Sequence, residues 1–487
     1  MISRFSHSLL PIARTSVGLA AFVLLSTYAV AQDPRGAAIQ SIDQRADQYR
    51  KIARQIWDWA EVGYQEEQSS KLLQSELRAA GFTVEAGVGG MPTGFVATAG
   101  SGKPIIGILA EFDALPGITQ GDSPERQPIA SKEAGHACGH HLFGTGSIAA
   151  AIAVKDWLAK SGRPGTVRLY GTPAEEGGAG KVYMVRAGLF KDVDAVLHWH
   201  AGSRNDASPG SSLANKSAKF RFHGVSAHAA ASPERGRSAL DGVEAMNHMV
   251  NLMREHVPED TRIHYVITNG GAAPNVIPDF AEVYYYVRHP DPKMVAALFD
   301  RVVKAAEGAA MGTETKVDHE VIHGIYALLP NEALARVMDK NLRVVGGVTY
   351  TAEERAFAEK IRTSLPPDMP PLSAASAIED FAIKEAGGST DVGDVSWVTP
   401  TTGLYTATYV PGTPGHSWQA VASGASTIGT KGMIVAAKTL TFTAIDLFSD
   451  PALLQAASAE YRRRVGPNFT YVPLVGNRPP PLDYRKK

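Results

Sequence analysis

The stretch PIIGILAEFDALPG (residues 104–117) decides how the chain is read: a continuous apolar run that ends in two carboxylates, Glu111 and Asp113. A strand covered on both faces reads as unbroken apolar sequence rather than as an alternation. In an open α/β sheet, ligands are met beyond the carboxyl ends of such strands. The pattern recurs. TVRLYGTPAEEGG (166–178) ends in Glu175 and Glu176, and DAVLHWHAG (194–202) carries His198 and His200. Three strand ends that deliver polar groups to one edge predict an α/β protein with its active site there.

Working outward, Ile52, Ile56 and Trp59, then Leu72, Leu73 and Leu77, are spaced for helices over 42–60 and 66–80. FGTGSIAAAIAVKDWLAKSG (143–162) predicts an Ala-rich helix with a glycine stop. GVGGMPTG (87–94) reads as a turn. Its glycines miss the GxGxxG spacing, so it has no nucleotide role. The character changes near residue 214. KSAKFRFHG (216–224), RIHYVIT (262–268), AEVYYYVRH (281–289) and KVDHEVIHG (316–324) predict strands, with helices around Val243–Met253 and over 292–309. This βα-ββ-αβ order predicts a small α+β domain over 215–331, inserted into a larger body of 32–214 and 332–455. The Pro-rich LPPDMPPL (365–372) is a loop, and a tail over 456–487 reads as irregular beyond 466.

The bulk numbers set limits. A formal charge of −1 and a pI near 7.0 argue against nucleic-acid or membrane-surface binding. Arg4 and Arg14 precede the apolar VGLAAFVLL (17–25), and Ala29-Val30-Ala31 has the small-x-small pattern of a cleavage site. Residues 1–31 are therefore expected to be a removed export signal, with the mature chain secreted into the periplasm. An uncleaved anchor is the alternative. No later stretch is read as a membrane span. One cysteine in 487 residues cannot form an internal disulfide.

That cysteine, Cys138, sits in GHACGHH (135–141). Gly135 and Gly139 disfavour a helix, so Cys138 and His140 are expected on a loop or extended turn. At i and i+2 of extended backbone their side chains share a face, and thiolate with imidazole suits a divalent metal. Other ligand types recur at Glu175-Glu176, His198, His200 and His416 in PGTPGHSW. Adjacent Glu175 and Glu176 diverge on extended backbone, so one carboxylate binds metal while the other faces a water whose pKa the metal lowers. Hydrolysis of an amide needs that division. His319-Glu-Val-Ile-His323 matches HExxH, but its β-branched residues and flanks predict a strand. There the two histidines stand about 13 Å apart, at about 3.3 Å per residue, too far to share an ion.

Through DALPG, GHACGH, TPAEEGGAGK, DAVLHWH, GVSAHAAASPERGRSALDGV, NVIPD and STDVGDVSW…PGTPGHSW, the chain from about residue 40 to 450 resembles the M20 metallopeptidases. It resembles their aminoacylase-like amidohydrolase branch, and the aminobenzoyl-glutamate-like subgroup more than the auxin-conjugate hydrolases. The resemblance implies a helix-flanked mixed sheet carrying two divalent ions (zinc or manganese, with cobalt a further choice) and a lid domain that forms a homodimer. It implies Cys138, His140, Glu176, His200 and His416 as metal ligands and Glu175 as general base. Asp113 would orient a ligand, and His228, often reaching across a dimer, would stabilise the oxyanion. Asn275 and Arg288 would grip a carboxylate. His136, His141 and His198 are read as packing residues. His141 stands where relatives carry Asp or Asn, and Glu111 where other branches carry a metal-binding His.

The expected activity is hydrolysis of the amide bond of N-acyl or N-aroyl amino acids. A dipeptidase or carboxypeptidase on the same scaffold is the nearest rival, and a non-catalytic periplasmic binding protein the rival from another class.

Overall fold

The computed structural model describes residues 34–384 and 388–486, with Met1 and residues 6–8. The expected export signal lies outside the described residues apart from those four. In chain order the strands are β1 (Thr83–Ala86), β2 (Phe95–Ser101), β3 (Ile105–Ala110), β4 (Leu115–Pro116), β5 (Ala134–Gly135), β6 (Gly165–Gly171), β7 (Ala195–Gly202), β8 (Ala214–His223), β9 (Arg262–Asn269), β10 (Phe280–His289), β11 (Lys316–Ile325) and β12 (Thr401–Ala407).

Six of them form one sheet in the order β1-β2-β6-β3-β7-β12. β3, β6, β7 and β12 run parallel, whereas β1 and β2 are antiparallel, so the sheet is mixed. Every residue of β3 is buried, as its apolar run requires. The helix His140–Ser161 packs across β2, β3, β6 and β7, and Thr427–Ser449 packs against β7 and β12. Both helices are long and apolar enough to cross a membrane, contrary to the sequence-based expectation. However, 83% and 78% of their apolar windows are buried inside the fold. They are core helices, apolar on all sides because both the sheet and outer helices cover them.

Residues 214–325 build a second, antiparallel sheet in the order β11-β8-β10-β9, backed by helices Ala239–Met253 and Pro292–Gly312. β10 alternates between half-buried and buried residues along its whole length. Phe220, Phe222, Val243, Met246, Tyr285 and Phe299 form a core separate from that of the large sheet. Burying each of these large side chains is worth about 1.5–3 kcal/mol.

Two boundaries differ from expectation. The N-terminal helical segment is two helices, Pro34–Gln44 and Ala46–Trp59. Only Ala38 and Ile42 of the first are buried apolar residues, too few to show helical spacing. The Ala-rich helix begins at His140, not 143, because Gly139 (φ 76°) ends the preceding turn in a left-handed conformation and starts the helix. His140 therefore stands on a helix rather than on extended backbone, a correction to the expected loop.

Candidate active site

The carboxyl ends of β3, β6, β7 and β12 converge. β3 leads into Glu111 and Asp113, β6 into Glu175 and Glu176, β7 carries His198 and His200, and β12 leads to the loop of His416. Gly139 sets the remaining donors. Its left-handed φ favours glycine, and a Cβ there would stand 2.4 Å from the Ala201 side chain and 2.5 Å from the Tyr409 hydroxyl. The chain can thus place Cys138 and His140 hard against β7.

Cys138, His140 and His200 present one donor atom each, all within 4.8 Å of one another; so do Cys138, Glu176 and His416. Cys138 belongs to both groups. A third group joins Glu111, His140 and Glu175. The neighbours Glu175 and Glu176 therefore point to different groups, although they stand in a turn closed by the Gly178 N–H donating to the Ala174 carbonyl and not on the extended backbone expected. His416 has a left-handed φ of 57°, a strained state for a non-glycine residue, and is held there by its N–H donating to the Ala137 carbonyl.

The imidazoles are oriented by their second nitrogens. His140 Nδ1 donates to Asp113 Oδ1 at 2.9 Å, while Asp113 Oδ2 accepts from the Glu176 N–H at 2.9 Å. His200 Nδ1 donates to the Ala201 carbonyl at 2.8 Å, which turns its Nε2 to Cys138 Sγ at 3.5 Å. Nε2 of His136 donates to the Ile56 carbonyl, and that of His141 to the Gly424 carbonyl. Both rings pack away from the donor groups. Burial drives His141 down to about 3 and His198 to about 4, so both are neutral at pH 7. His198 lines the cleft and belongs to none of the three groups.

The donors fit divalent cations. Glu111 Oε2, His140 Nε2 and Glu176 Oε1 are buried without a hydrogen-bond partner. His140 Nε2 lies 3.1 Å from Glu111 Oε2, and His416 Nε2 3.3 Å from Glu176 Oε1, but neither contact has hydrogen-bond geometry. Burial, then the Glu176 charge, holds the Cys138 thiol well above its ordinary range, so a thiolate there requires a cation. Burial and the charges of Glu111, Glu176 and Asp391 also push the Glu175 carboxyl well up, the direction a proton acceptor near pH 7 needs.

These groups open into a cleft of about 720 Å³ between the two sheets, lined also by Arg288, Tyr286 and His323. A separate depression, lined by Arg50, Arg54 and Trp57, holds none of the donors. The structure does not bring His228 or Asn275 into the cleft. Both are exposed on a lid loop, where the Ala229 N–H donates to the Asn275 carbonyl and His228 bridges to Val276.

Sequence reasoning missed four residues. Lys181 is wholly buried, with Nζ 2.7 Å from Glu111 Oε1 and 2.6 Å from Asp391 Oδ1. Burial opposes its charge, but the two carboxylates outweigh that and hold it protonated. Glu111 is thus tied to a lysine as well as facing the donors. Glu66, buried, accepts from the Ala174 N–H and the Thr93 hydroxyl and so holds the Glu175 loop. His323 belongs to the HExxH match and lies on β11, a strand as expected. A bulge between Val321 and His323 leaves His319 exposed and buries His323 at the cleft. The fourth, Arg485, lies in the tail. Only Lys181 had a signal, as the lysine closing TPAEEGGAGK.

A mixed sheet with metal-donor groups at its carboxyl edge and an inserted antiparallel lid defines a metal-dependent hydrolase of amide bonds. Residues 107–408 match the model of peptidase family M20/M25/M40, and the chain belongs to that family. It is 42% identical over 470 residues to a subunit of the p-aminobenzoyl-glutamate hydrolase of Escherichia coli, across 91% of this chain and 98% of that protein. It is 30% identical to the mouse Xaa-Arg dipeptidase, across 87% and 91% of the two chains. The fold matches the aminobenzoyl-glutamate utilization protein of Klebsiella pneumoniae with a TM-score of 0.59 at 19% identity, covering 84% of this chain and 97% of that one.

Proposed function

We propose that the protein hydrolyses N-acyl or N-aroyl amino acids, as the name of its Escherichia coli relative suggests for that protein. The sharing of Cys138 between two donor groups, with Glu175 beside them and Arg288 across the cleft, carries this reading. Two divalent ions, zinc or manganese with cobalt a third choice, would be held by Cys138, His140 and His200 and by Cys138, Glu176 and His416. Their chemistry is Lewis acidity towards water and the scissile carbonyl.

The chain's own residues do the rest. Arg288 forks the substrate carboxylate. Glu175 accepts the proton of the attacking water as the C–O bond forms, and returns it to the leaving nitrogen as the C–N bond then breaks. The buried Asp113–His140 pair keeps the imidazole in one tautomer. His228 and Asn275 are exposed together on the lid, so they serve the cleft of a second copy in a homodimer. An export signal cleaved after Ala31 places the mature chain in the periplasm, and its N-terminal residue there is Gln32.

Glu175→Gln tests the mechanism: metal content and fold persist while kcat falls about 10²–10⁴-fold. Near-wild-type turnover overturns the base assignment. The dipeptidase relative makes free-amine dipeptides the necessary control. Faster cleavage of these than of N-acyl amino acids transfers the reading to a dipeptidase.

A further inference from the structure

The tail beyond Val465 has neither helix nor strand, yet it is tied down at every stage. Tyr471 donates to Asp394 Oδ1 at 2.6 Å, and the Val472 carbonyl accepts from the Tyr326 hydroxyl at 2.9 Å. The backbone at Leu474 passes so close to β11 that a Cβ on Gly324 would lie 2.8 Å from it. Arg478 pairs with Glu320 Oε1 at 3.1 Å and with the Val321 carbonyl, while Arg186 donates to the Gly476 and Arg478 carbonyls. The chain then crosses to the metal side. Gln65 donates to the Leu482 carbonyl, Tyr484 packs edge-on to Tyr64 at 5.7 Å, and the Tyr484 hydroxyl reaches the Glu176 carbonyl at 3.1 Å. The strap thus joins the lid sheet to the loop that carries Glu175 and Glu176.

What it delivers there is a cation. Arg485 Nη2 donates to the Glu176 carbonyl at 2.8 Å, and the side chain lines the same cleft as Arg288. The Nε atoms of both arginines are buried without a hydrogen-bond partner. Each guanidinium rests on a tyrosine ring, Arg288 on Tyr286 and Arg485 on Tyr484. Among the described residues no carboxylate forms an ion pair with either. Sequestering two guanidiniums without a counter-charge is costly, and an anion presented to their free N–H groups offsets that cost. A carboxylate held bidentately by one planar fork leaves the second fork in the cleft for another anionic group.

We propose that the C-terminal strap is part of the substrate site and that Arg485 binds a second anionic group, selecting N-acyl derivatives of acidic amino acids. This rests on reading Arg288 as the fork for the first carboxylate. A neutral isostere that keeps the size and loses the charge leaves Arg485 unpaired and binds more weakly.

The test measures binding apart from turnover. Metal-loaded full-length protein carrying Glu175→Gln is titrated calorimetrically with N-benzoyl-glutamate and N-benzoyl-glutamine, with and without Arg485→Gln. The expected preference for the glutamate derivative is about tenfold in the parent, about 1.4 kcal/mol. It falls to within about twofold in Arg485→Gln and is partly kept in Arg485→Lys. A preference that survives Arg485→Gln, a parent that does not discriminate, or a parent that binds neither ligand overturns the proposal. So does a lowered unfolding temperature with an unchanged ratio, the signature of a strap contact and nothing more. If the ratio behaves as expected but the unsubstituted, metal-loaded protein cleaves neither compound, the hydrolytic reading fails and the anion subsite stands.

Discussion

Cys138 is common to the two donor groups proposed to hold the ions, Cys138–His140–His200 and Cys138–Glu176–His416, whereas His416 serves only one. Its burial opposes a free thiolate, so the proposed cations would be what keeps the sulfur charged. Substituting the two residues therefore has unequal consequences. Cys138→Ser should reduce bound metal from about two ions per chain to below one, and His416→Ala to about one, measured by elemental analysis after dialysis. Equal losses in the two variants would show that Cys138 does not bridge. Lys181 gives one oxygen of the neighbouring Glu111 a cationic partner, which helps this buried carboxylate to keep its charge, while its other oxygen faces the donors.

At the scale of elements, the short helix Val392–Ser396 anchors both the lid and the strap. Asp394, wholly buried, accepts from the Tyr326 N–H at 3.0 Å and from the Tyr471 hydroxyl at 2.6 Å. Burial pushes its carboxyl up to about 7, with the Asp391 charge adding to the rise and the two donors opposing it. An unfolded aspartate titrates near about 3.9, so the folded state binds the extra proton. The stabilising contribution is complete below about pH 4 and lost as pH rises through about 7. Asparagine can keep both contacts without titrating. The unfolding temperature of Asp394→Asn relative to the parent should therefore climb between pH 5 and pH 8; a difference that stays constant with pH rules the assignment out.

For the whole molecule, the lid sheet has two edges with different fates. The strap covers β11, while β9 is left open with Tyr265, Val266 and Ile267 exposed, and Leu252 is exposed on the helix whose Asn251 reaches the Tyr265 hydroxyl. An open apolar edge is a pairing surface that proteins otherwise block. In the homodimer proposed above, a second copy seated there would extend this sheet and would supply the His228 and Asn275 that stand outside the chain's own cleft. Leu252→Glu with Val266→Glu is expected to sediment as a monomer and to lose activity together with assembly. A double variant that remains dimeric would place the interface elsewhere.

Local sequence was enough for the strands whose burial is written in their composition. β3 could be read from its apolar run, and the donors from Cys, His and Glu at strand ends, because each signal lies within a few residues. The same locality explains the misplaced start of the helix at His140, which depended on Gly139 meeting Ala201 and Tyr409 far along the chain. Tertiary structure alone decided which donors lie together, since Cys138 meets His200 and His416 only after four strands are aligned in parallel. It alone put Lys181 under Glu111, buried one histidine of HExxH at the cleft through a bulge, and returned Arg485 to residues more than three hundred positions earlier. A tail without periodicity carries no sign of its docking place, because that place is set by the surfaces of other elements and not by its own.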